Sequence, residues 1–553
     1  MGLRQNRSMR RLAVILAMSG LAAATEVWRA GPQVVTYFSR VDDTDQPYAL
    51  YVPPSYDPQT AYPLVISLHG RGSDHRHNLR QVFGKASLSG ETEVAASRYF
   101  PAFPEVNFLV AAPLARGAVG YEGIGERDVY DVLDDVKRRF RVDEERIYLT
   151  GVGSGGGGAL RLAVTRPDLW AAVAVVSPDV PEEVGELAGN ALHIPVKFFQ
   201  GRLDPLIRPA QTKFWVELLQ SSGAQAEYVE FPGVRHNAWE RAYRDAAIFE
   251  WFSRFRRERH PDRVVYRTRR YKYSSAYWVR LDGFTPGVLA RVEARFVGPG
   301  EIVVKTENVD GFTLNLTGHP GAARTMRVEI NDARLKIQRG PLSFRREGPG
   351  WKQQLWLPER GEKGRGREGP LAEALADRHI YVYGTGGGAS PAEVARRRTE
   401  AAKAAEWSGR NLPVMASFRV LADEEVGAEE LQSSNLVLFG NAETNSVIRR
   451  LGSSLPIALH SGAADYGLLY IYPVGQRYVV INSGLAWWTR AEMLLPRLPL
   501  GAPPWMMLRR FGDFVLYRGG IDQIIVEGSF DRWWGIPVEA RVKMEATGAV
   551  TVR

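Results

Sequence analysis

Three widely separated parts of this chain carry residue types that together could break an ester or amide bond. Residues 151–155 read GVGSG, and a glycine-x-serine-x-glycine pattern between a strand and a helix presents a nucleophilic serine on a sharp turn. Asp204 and His236 follow in that order, and a histidine oriented by a carboxylate is the base that activates such a serine. The residue types and their order indicate hydrolysis through an acyl intermediate.

The serine of this pattern does not stand at the expected position. With Gly151 and Gly155 as the flanking glycines, the middle residue is Gly153, and Ser154 comes one residue later. An alignment without a gap keeps the following helix in register and favours a lost nucleophile. The glycines on both sides would let the turn slip by one residue, which would make Ser154 the nucleophile. As a third alternative, His236 could activate a water molecule in the vacated space.

Alternating elements are predicted to position these residues. From residue 47 to residue 259, short apolar runs alternate with amphipathic helices, which is typical of a mostly parallel sheet covered on both faces. The runs at residues 146–151, 195–201 and 226–233 are predicted strands. Each of them ends shortly before one of the three candidate positions, so we expect the candidates to meet at one edge of the sheet.

Residues 47–259 resemble the secreted bacterial esterases of the dienelactone-hydrolase and polyhydroxybutyrate-depolymerase type. These esterases are related to the catalytic domains of prolyl oligopeptidase-like S9 peptidases. Five segments match the blocks of that family in order: VISLHGRG, ERIYLTG, GALRLAVTRPDLWAAVA, GRLDPLIRP and GVRHNAW. The resemblance covers less than half of the chain, and it implies an α/β-hydrolase fold for that part.

The resemblance also implies roles for individual residues. Asp204 and His236 would be the acid and the base of a catalytic triad. The N–H of Arg71 or Gly72, together with that of Ser154, would form the oxyanion hole that stabilises the charge developing on the substrate. The family's nucleophilic serine is the one part that this sequence does not carry at the matching position.

In the rest of the chain, the pattern of apolar and polar residues changes twice. Residues 264–357 alternate polar and apolar residues between tight turns, which predicts a β-rich domain. The charged, glycine-rich run at residues 358–370 is interpreted as a linker or exposed loop. Residues 371–553 return to alternating strands and helices, and we predict a small α/β domain with a flavodoxin-like layout.

The N-terminus predicts export. Residues 1–24 combine a basic head with an apolar run and small residues, as a cleavable signal peptide does, so a secreted or periplasmic protein without stable membrane insertion is expected. Its four arginines account for four of the nine net positive charges, which leaves a mild +5 and speaks against nucleic acid as a partner. The chain has no cysteine, and no histidine and carboxylate cluster has metal-ligand spacing, so no cofactor is expected.

Two functions are compatible with these observations. The first is an exported serine-esterase-like hydrolase that acts on a small-molecule ester, or on a peptide or carbohydrate ester, with doubtful activity because of Gly153. The second is a secreted pseudoenzyme that binds a polysaccharide or peptide in the cleft where an active esterase of this type would bind its substrate. A hydrogen bond between Ser154 Oγ and His236 Nε2 would favour the first, and a turn in which Gly153 faces the histidine would favour the second.

Overall fold

A computed structural model describes residues 28–553, apart from residues 87, 89, 338, 339, 410, 411 and 495–501. The predicted signal peptide lies outside the described residues. Within the described chain, three sheet-containing domains follow one another.

The first domain is an eight-stranded sheet with helices on both faces. Its order is β1-β2-β4-β3-β5-β6-β7-β8, in which β1 and β2 are antiparallel to their neighbours and the other strands are parallel. The strands are β1 (Gly31–Ser39), β2 (Thr44–Val52), β3 (Tyr62–Leu68), β4 (Leu109–Pro113), β5 (Val142–Val152), β6 (Ala172–Val176), β7 (Val196–Gly201) and β8 (Ala226–Phe231). The helices are α1 (His75–Val82), α2 (Glu93–Ala96), α3 (Ile124–Arg139), α4 (Ser154–Thr165), α5 (Glu183–Leu187), α6 (Pro209–Ser221), α7 (Trp239–Ala242) and α8 (Ala247–Ser253).

Burial explains why these apolar runs become strands. All seven residues of β3 and all five of β4 and β6 are buried, as expected for parallel strands covered by helices on both faces. The sheet extends beyond the predicted boundary at residue 47, because β1 pairs along the whole of β2. The sequence of β1, GPQVVTYFS, has neither a continuous apolar run nor a regular alternation, so this edge strand was not recognised from the sequence.

The second domain consists of two five-stranded sheets that share one apolar core. Their orders are β10-β11-β14-β17-β18 and β16-β15-β13-β12-β9. The strands are β9 (Arg263–Thr268), β10 (Ser275–Ala276), β11 (Val279–Gly283), β12 (Ala290–Gly298), β13 (Glu301–Glu307), β14 (Gly311–Leu314), β15 (Met326–Ile330), β16 (Ala333–Ile337), β17 (Leu342–Glu347) and β18 (Gly350–Gln353). Alternate residues of β12 are buried at its start, which is the period of a sheet with one face on the core.

The third domain is a seven-stranded sheet with a separate two-stranded sheet, β22 and β27. The main order is β20-β19-β21-β24-β23-β25-β26. The strands are β19 (His379–Tyr383), β20 (Val420–Ala422), β21 (Asn435–Phe439), β22 (Ile457–Leu459), β23 (Tyr466–Val474), β24 (Arg477–Gly484), β25 (Phe514–Arg518), β26 (Ile524–Gly528) and β27 (Val550–Val552). The helices are α9 (Pro391–Ala405), α10 (Ala428–Ser433), α11 (Ser446–Leu451), α12 (Trp505–Leu508) and α13 (Val538–Glu545).

This sheet is only partly flavodoxin-like. Four of its strands are parallel, but β23, β25 and β26 add an antiparallel half that a flavodoxin-like layout lacks. A tight hairpin with Gly475 at a φ of +62° joins β23 to β24 and forces them to run antiparallel. In the described part of the chain, no helix is both long and apolar enough to cross a membrane.

The third domain packs directly against the first. Its apolar core includes Val119 and Ile124 of the first domain. The Arg509 guanidinium donates a hydrogen bond of 3.1 Å to the Val119 carbonyl, and Gly117 forms an isolated bridge with Val414. The loop at residues 117–121 is thereby held between two domains, beside the candidate site.

Candidate active site

The turn between β5 and α4 has one residue in an unusual backbone conformation, and that residue is Gly153. Its φ is +55° and its ψ is −119°, a region that side-chain-bearing residues adopt only under strain. Its N–H donates to the Val176 carbonyl, and its own carbonyl accepts from Gly157 and Asp179. Ser154 is already the first residue of α4. The strained apex of the turn therefore falls on Gly153.

Steric space distinguishes the three glycines of this turn. A Cβ added at Gly151 would lie 2.3 Å from the Gly155 carbonyl oxygen, and one added at Gly155 would lie 2.3 Å from the Leu68 oxygen. A Cβ added at Gly153 would touch nothing closer than His236 Nε2, at 3.9 Å. The flanking glycines are required by crowding, whereas the central position has room for a side chain that would point at the histidine.

We expect the two substitutions Gly155→Ala and Gly153→Ala to differ in stability. Gly155→Ala should cost about 3 kcal/mol, because two fixed backbone carbonyls stand where the methyl group would go. Gly153→Ala should cost only about 1 kcal/mol, the lower end of what backbone strain costs. Hydrogen exchange of the β3 amides, which reports opening of this domain's core, measures both. A larger loss for Gly153→Ala would contradict the placement of the turn.

Asp204 and His236 meet at the ends of β7 and β8. His236 Nδ1 lies 2.8 Å from Asp204 Oδ2, which leaves Nε2 directed at Gly153. The other carboxylate oxygen accepts the N–H groups of Leu206 and Ile207 at 2.9 and 3.0 Å. Burial alone would raise the pKa of Asp204, but the hydrogen bonds from His236 and these two N–H groups outweigh it and hold that pKa below its ordinary value.

One further residue, Gln200, holds this pair, and sequence analysis did not identify it. The Gln200 side-chain amide donates to Asp204 Oδ2 at 3.3 Å and to the Ile207 carbonyl at 2.9 Å. Thr212 Oγ1 donates to Gln200 Oε1 at 2.7 Å, which sets the orientation of the amide. Gln200 is fully buried. A glutamine in a strand whose only other polar side chain is Lys197 was the only available signal.

Ser154 and the loop after β3 occupy the other side of the turn. Among the described residues, Ser154 Oγ forms no hydrogen bond with His236. The Ser154 N–H, at the first position of a helix, has no acceptor within that helix. The N–H groups of Arg71 and Gly72 also donate to no described acceptor, and Gly72 has a φ of +80°. The oxyanion-hole role of these three residues stays a prediction.

A cavity of about 200 Å³ opens beside this turn, between the first and third domains. The first domain contributes Ser154 and Arg71 to its wall, and the third contributes Trp505, Met506 and Arg509. Sequence reasoning missed the contribution of the third domain, since residues some 350 positions apart carry no local signal of contact. We call this cavity the elbow cleft.

The first domain can now be compared with known proteins. Residues 39–242 match the family model described as "Putative esterase", which covers fewer than half of the residues of the chain. This match supports an esterase-like α/β-hydrolase domain, in agreement with the sheet order and the sharp turn after β5.

Individual relatives are esterases by name. "Putative esterase NocK" of Nocardia uniformis subsp. tsuyamanensis is 39% identical over 152 residues, which are 26% of this chain and only 40% of NocK. "Probable feruloyl esterase C" of Aspergillus niger is 24% identical over 201 residues, 35% of this chain and 68% of that protein. Among solved structures, a thermostable esterase is similar with a TM-score of 0.33 and 22% identity, over 41% of this chain and 63% of that one. A ferulic acid esterase of Anaeromyces mucronatus has a TM-score of 0.31 and 18% identity, over 39% and 90%.

Proposed function

We propose that this protein is an exported binding protein built on an esterase domain, and that it holds a small-molecule ester without cleaving it by serine acyl transfer. The observation that carries the proposal is the position of Gly153, at the strained apex of the turn and facing His236 Nε2. The base and its carboxylate are present, but the residue between them and a ligand has no side chain.

The size of the expected defect supports binding over turnover. Loss of the serine nucleophile in a triad enzyme lowers turnover by roughly 10⁶, and roughly 10³ to 10⁴ of rate enhancement over water remains from the oxyanion hole and binding. The cleft itself does not need the nucleophile in order to bind. A ligand would still meet Arg71, whose backbone N–H donates to no described acceptor, and the wall formed by Trp505.

Ester chemistry is the ligand class that the relatives favour. The family description and both relatives are esterases by name, and the Aspergillus niger relative is named for feruloyl esters. The wall of the elbow cleft combines the apolar side chains of Trp505 and Met506 with the charged Arg71 and Arg509, which suits a ligand that has both apolar and polar groups. Esters of carbohydrates and of peptides fall within this class.

Export is part of the proposal and rests on residues 1–24. Cleavage after Ala24 would leave a mature N-terminus at Thr25. Sequencing the N-terminus of the protein recovered outside the cytoplasm tests this point independently of the cleft.

A working esterase is the second candidate function, because Ser154 lines the same cleft. For this function, the turn would have to rearrange so that Ser154 replaces Gly153 at the apex. Ser154 would then leave the first turn of α4 and adopt the strained conformation that Gly153 now has. A ligand would have to supply the free energy of that rearrangement.

A serine-directed fluorophosphonate separates the two functions. It attaches covalently to an activated serine, so we expect intact-mass spectrometry to find no adduct on the wild-type protein and none on Ser154→Ala. Binding of p-nitrophenyl acetate should be detectable even though its hydrolysis does not exceed that of the His236→Ala variant. A wild-type adduct that disappears in Ser154→Ala would replace the binding function with the esterase.

A further inference from the structure

A second cavity lies where the three domains meet, and no candidate catalytic residue lines it. Its volume is about 510 Å³, within the range of small-molecule sites. Helix α3 forms one wall, residues 272–275 of the second domain form another, and Arg365 and residues 373–377 close it. We call it the junction cavity.

Each carboxylate that lines the junction cavity is paired with at least one cation. Glu126 Oε2 lies 3.1 Å from Arg161 and 3.2 Å from Lys272. The remaining pairs are Asp131 with Arg127, Asp377 with Arg127 and Arg477, and Glu373 with Arg270. Arginine and lysine side chains of the protein therefore neutralise these carboxylates, so the carboxylates do not require a bound cation.

Two guanidinium groups of the lining form no ion pair with the carboxylates of the cavity. Arg166 lies over the Tyr130 ring, with its Cζ 4.6 Å from the ring centroid, and its electrostatic partner, Asp168, lies outside the cavity lining. Arg365 is exposed at the rim and has no hydrogen bond or ion pair among the described residues. A planar guanidinium binds carboxylate and phosphate oxygens in a bidentate manner, so two of them at one cavity favour an oxyanion.

A buried hydroxyl points to the same conclusion independently. Tyr130 Oη is buried and has no hydrogen-bond partner in the described structure. A buried polar group without a partner is costly, and a ligand, an ion or water is one way in which a native protein completes it. Ser274 and Ser275 add two more hydroxyls to the lining. The cavity thus combines oxyanion-binding groups with hydroxyls that can bind a polyhydroxylated molecule.

We propose that the junction cavity binds a sugar-sized molecule that carries a carboxylate or a phosphate. Arg166 and Arg365 bind its oxyanion, and Tyr130 Oη forms a hydrogen bond with one of its oxygens. The site is built from side chains of all three domains, so its ligand also holds the domains together. This site is separate from the elbow cleft and does not depend on the function proposed there.

Calorimetric titration of the full chain with three probes tests the proposal. D-glucuronate and glucose 6-phosphate distinguish the two oxyanions, and D-glucose is the neutral control. We expect at least one of the anions to bind about tenfold more tightly than glucose, because hydrogen bonds between charged groups are the stronger ones. Arg365→Ala should weaken that binding about tenfold. Arg367→Ala removes the same charge two residues away, outside the cavity lining, and should leave the affinity unchanged.

Tyr130→Phe adds a readout that a purely structural role would not give. Because the hydroxyl has no partner in the described structure, its removal should leave the thermal unfolding temperature of the ligand-free protein unchanged or slightly higher. The same change should weaken binding of the preferred anion about tenfold. Equal binding of glucose and the anions, equal affinity of Arg365→Ala and wild type, or unchanged affinity of Tyr130→Phe would each overturn the proposal.

Discussion

Replacing Gly153 with serine is expected to turn on ester hydrolysis. A serine Cβ at this position would lie 3.9 Å from His236 Nε2, and its hydroxyl can rotate into hydrogen-bond range of that nitrogen. Asp204 already orients the histidine at 2.8 Å. Since the nucleophile accounts for roughly 10⁶ in turnover, we expect Gly153→Ser to raise kcat for p-nitrophenyl acetate by about 10³ or more.

Three matched variants make this result specific. Gly153→Ala has the same backbone strain and the same Cβ but no hydroxyl, so it should stay silent. Adding His236→Ala or Asp204→Asn to Gly153→Ser should remove most of the gain, because the new serine needs its base and the base needs its orienting carboxylate. The expected result would be contradicted by a Gly153→Ser protein that folds but neither reacts with the fluorophosphonate nor hydrolyses the ester. The rest of the site would then also be unable to support catalysis.

Backbone strain sets the stability cost of this variant. A residue with a side chain at a φ of +55° costs about 1–3 kcal/mol, a cost that glycine avoids. An active esterase accepts this strain because the turn must present the nucleophile. A chain that no longer needs the hydroxyl is more stable with glycine there. Glycine at this position is thus what stability alone favours in any chain that does not use a side chain there.

The candidate site was partly predictable from the sequence. The order of Asp204 and His236 after successive strands was enough to expect them together, and the structure places them 2.8 Å apart. The register of the turn was not predictable, because glycines surround the serine on both sides and sequence alone leaves two alignments open. The φ of Gly153 and the crowding at Gly155 distinguish those alignments, and both are three-dimensional properties.

Contacts between distant segments account for most of what the sequence missed. The other strands of the first domain follow from apolar runs, but β1 has neither a continuous apolar run nor a regular alternation and is recognised only through its pairing with β2. The antiparallel half of the third sheet depends on a hairpin turn at Gly475. The wall that Trp505 forms beside Ser154 depends on how two domains dock. Periodicity describes one segment at a time and contains no information on docking.

Arg116 also connects segments that are distant in the sequence. It holds the loop at residues 117–121 beside the elbow cleft. Its side chain is fully buried, with a hydrogen-bonded ion pair of 2.6 Å to Asp42 and another of 2.8 Å to Asp128. It also donates to Ser39 Oγ at 2.6 Å and to the Met415 carbonyl at 3.3 Å. One guanidinium thus links the edge of the first sheet, helix α3 and the third domain.

We expect Arg116→Met to destabilise the first domain by about 3–5 kcal/mol. The substitution leaves two buried carboxylates without their cation, and an uncompensated buried charge costs far more than the pair itself contributes. Hydrogen exchange of the β3 amides measures the loss in this domain separately from the other two. A loss below about 1 kcal/mol, the range of exposed ion pairs, would contradict this account of the loop.

The pH dependence of this loss identifies its cause. Burial raises the pKa of Asp128 to about 6, although Arg116 lowers it, so removal of the arginine should raise that pKa further. A carboxyl group with a raised pKa in the folded state binds its proton more tightly there than in the unfolded state, so stability falls as pH rises through that interval. The deficit of Arg116→Met should therefore be smallest near pH 4 and largest above pH 6. Adding Asp42→Asn and Asp128→Asn should recover most of the stability and flatten this slope, because no buried charge is then left without a partner. A deficit that is equal at both pH values would instead assign the loss to packing of the arginine side chain.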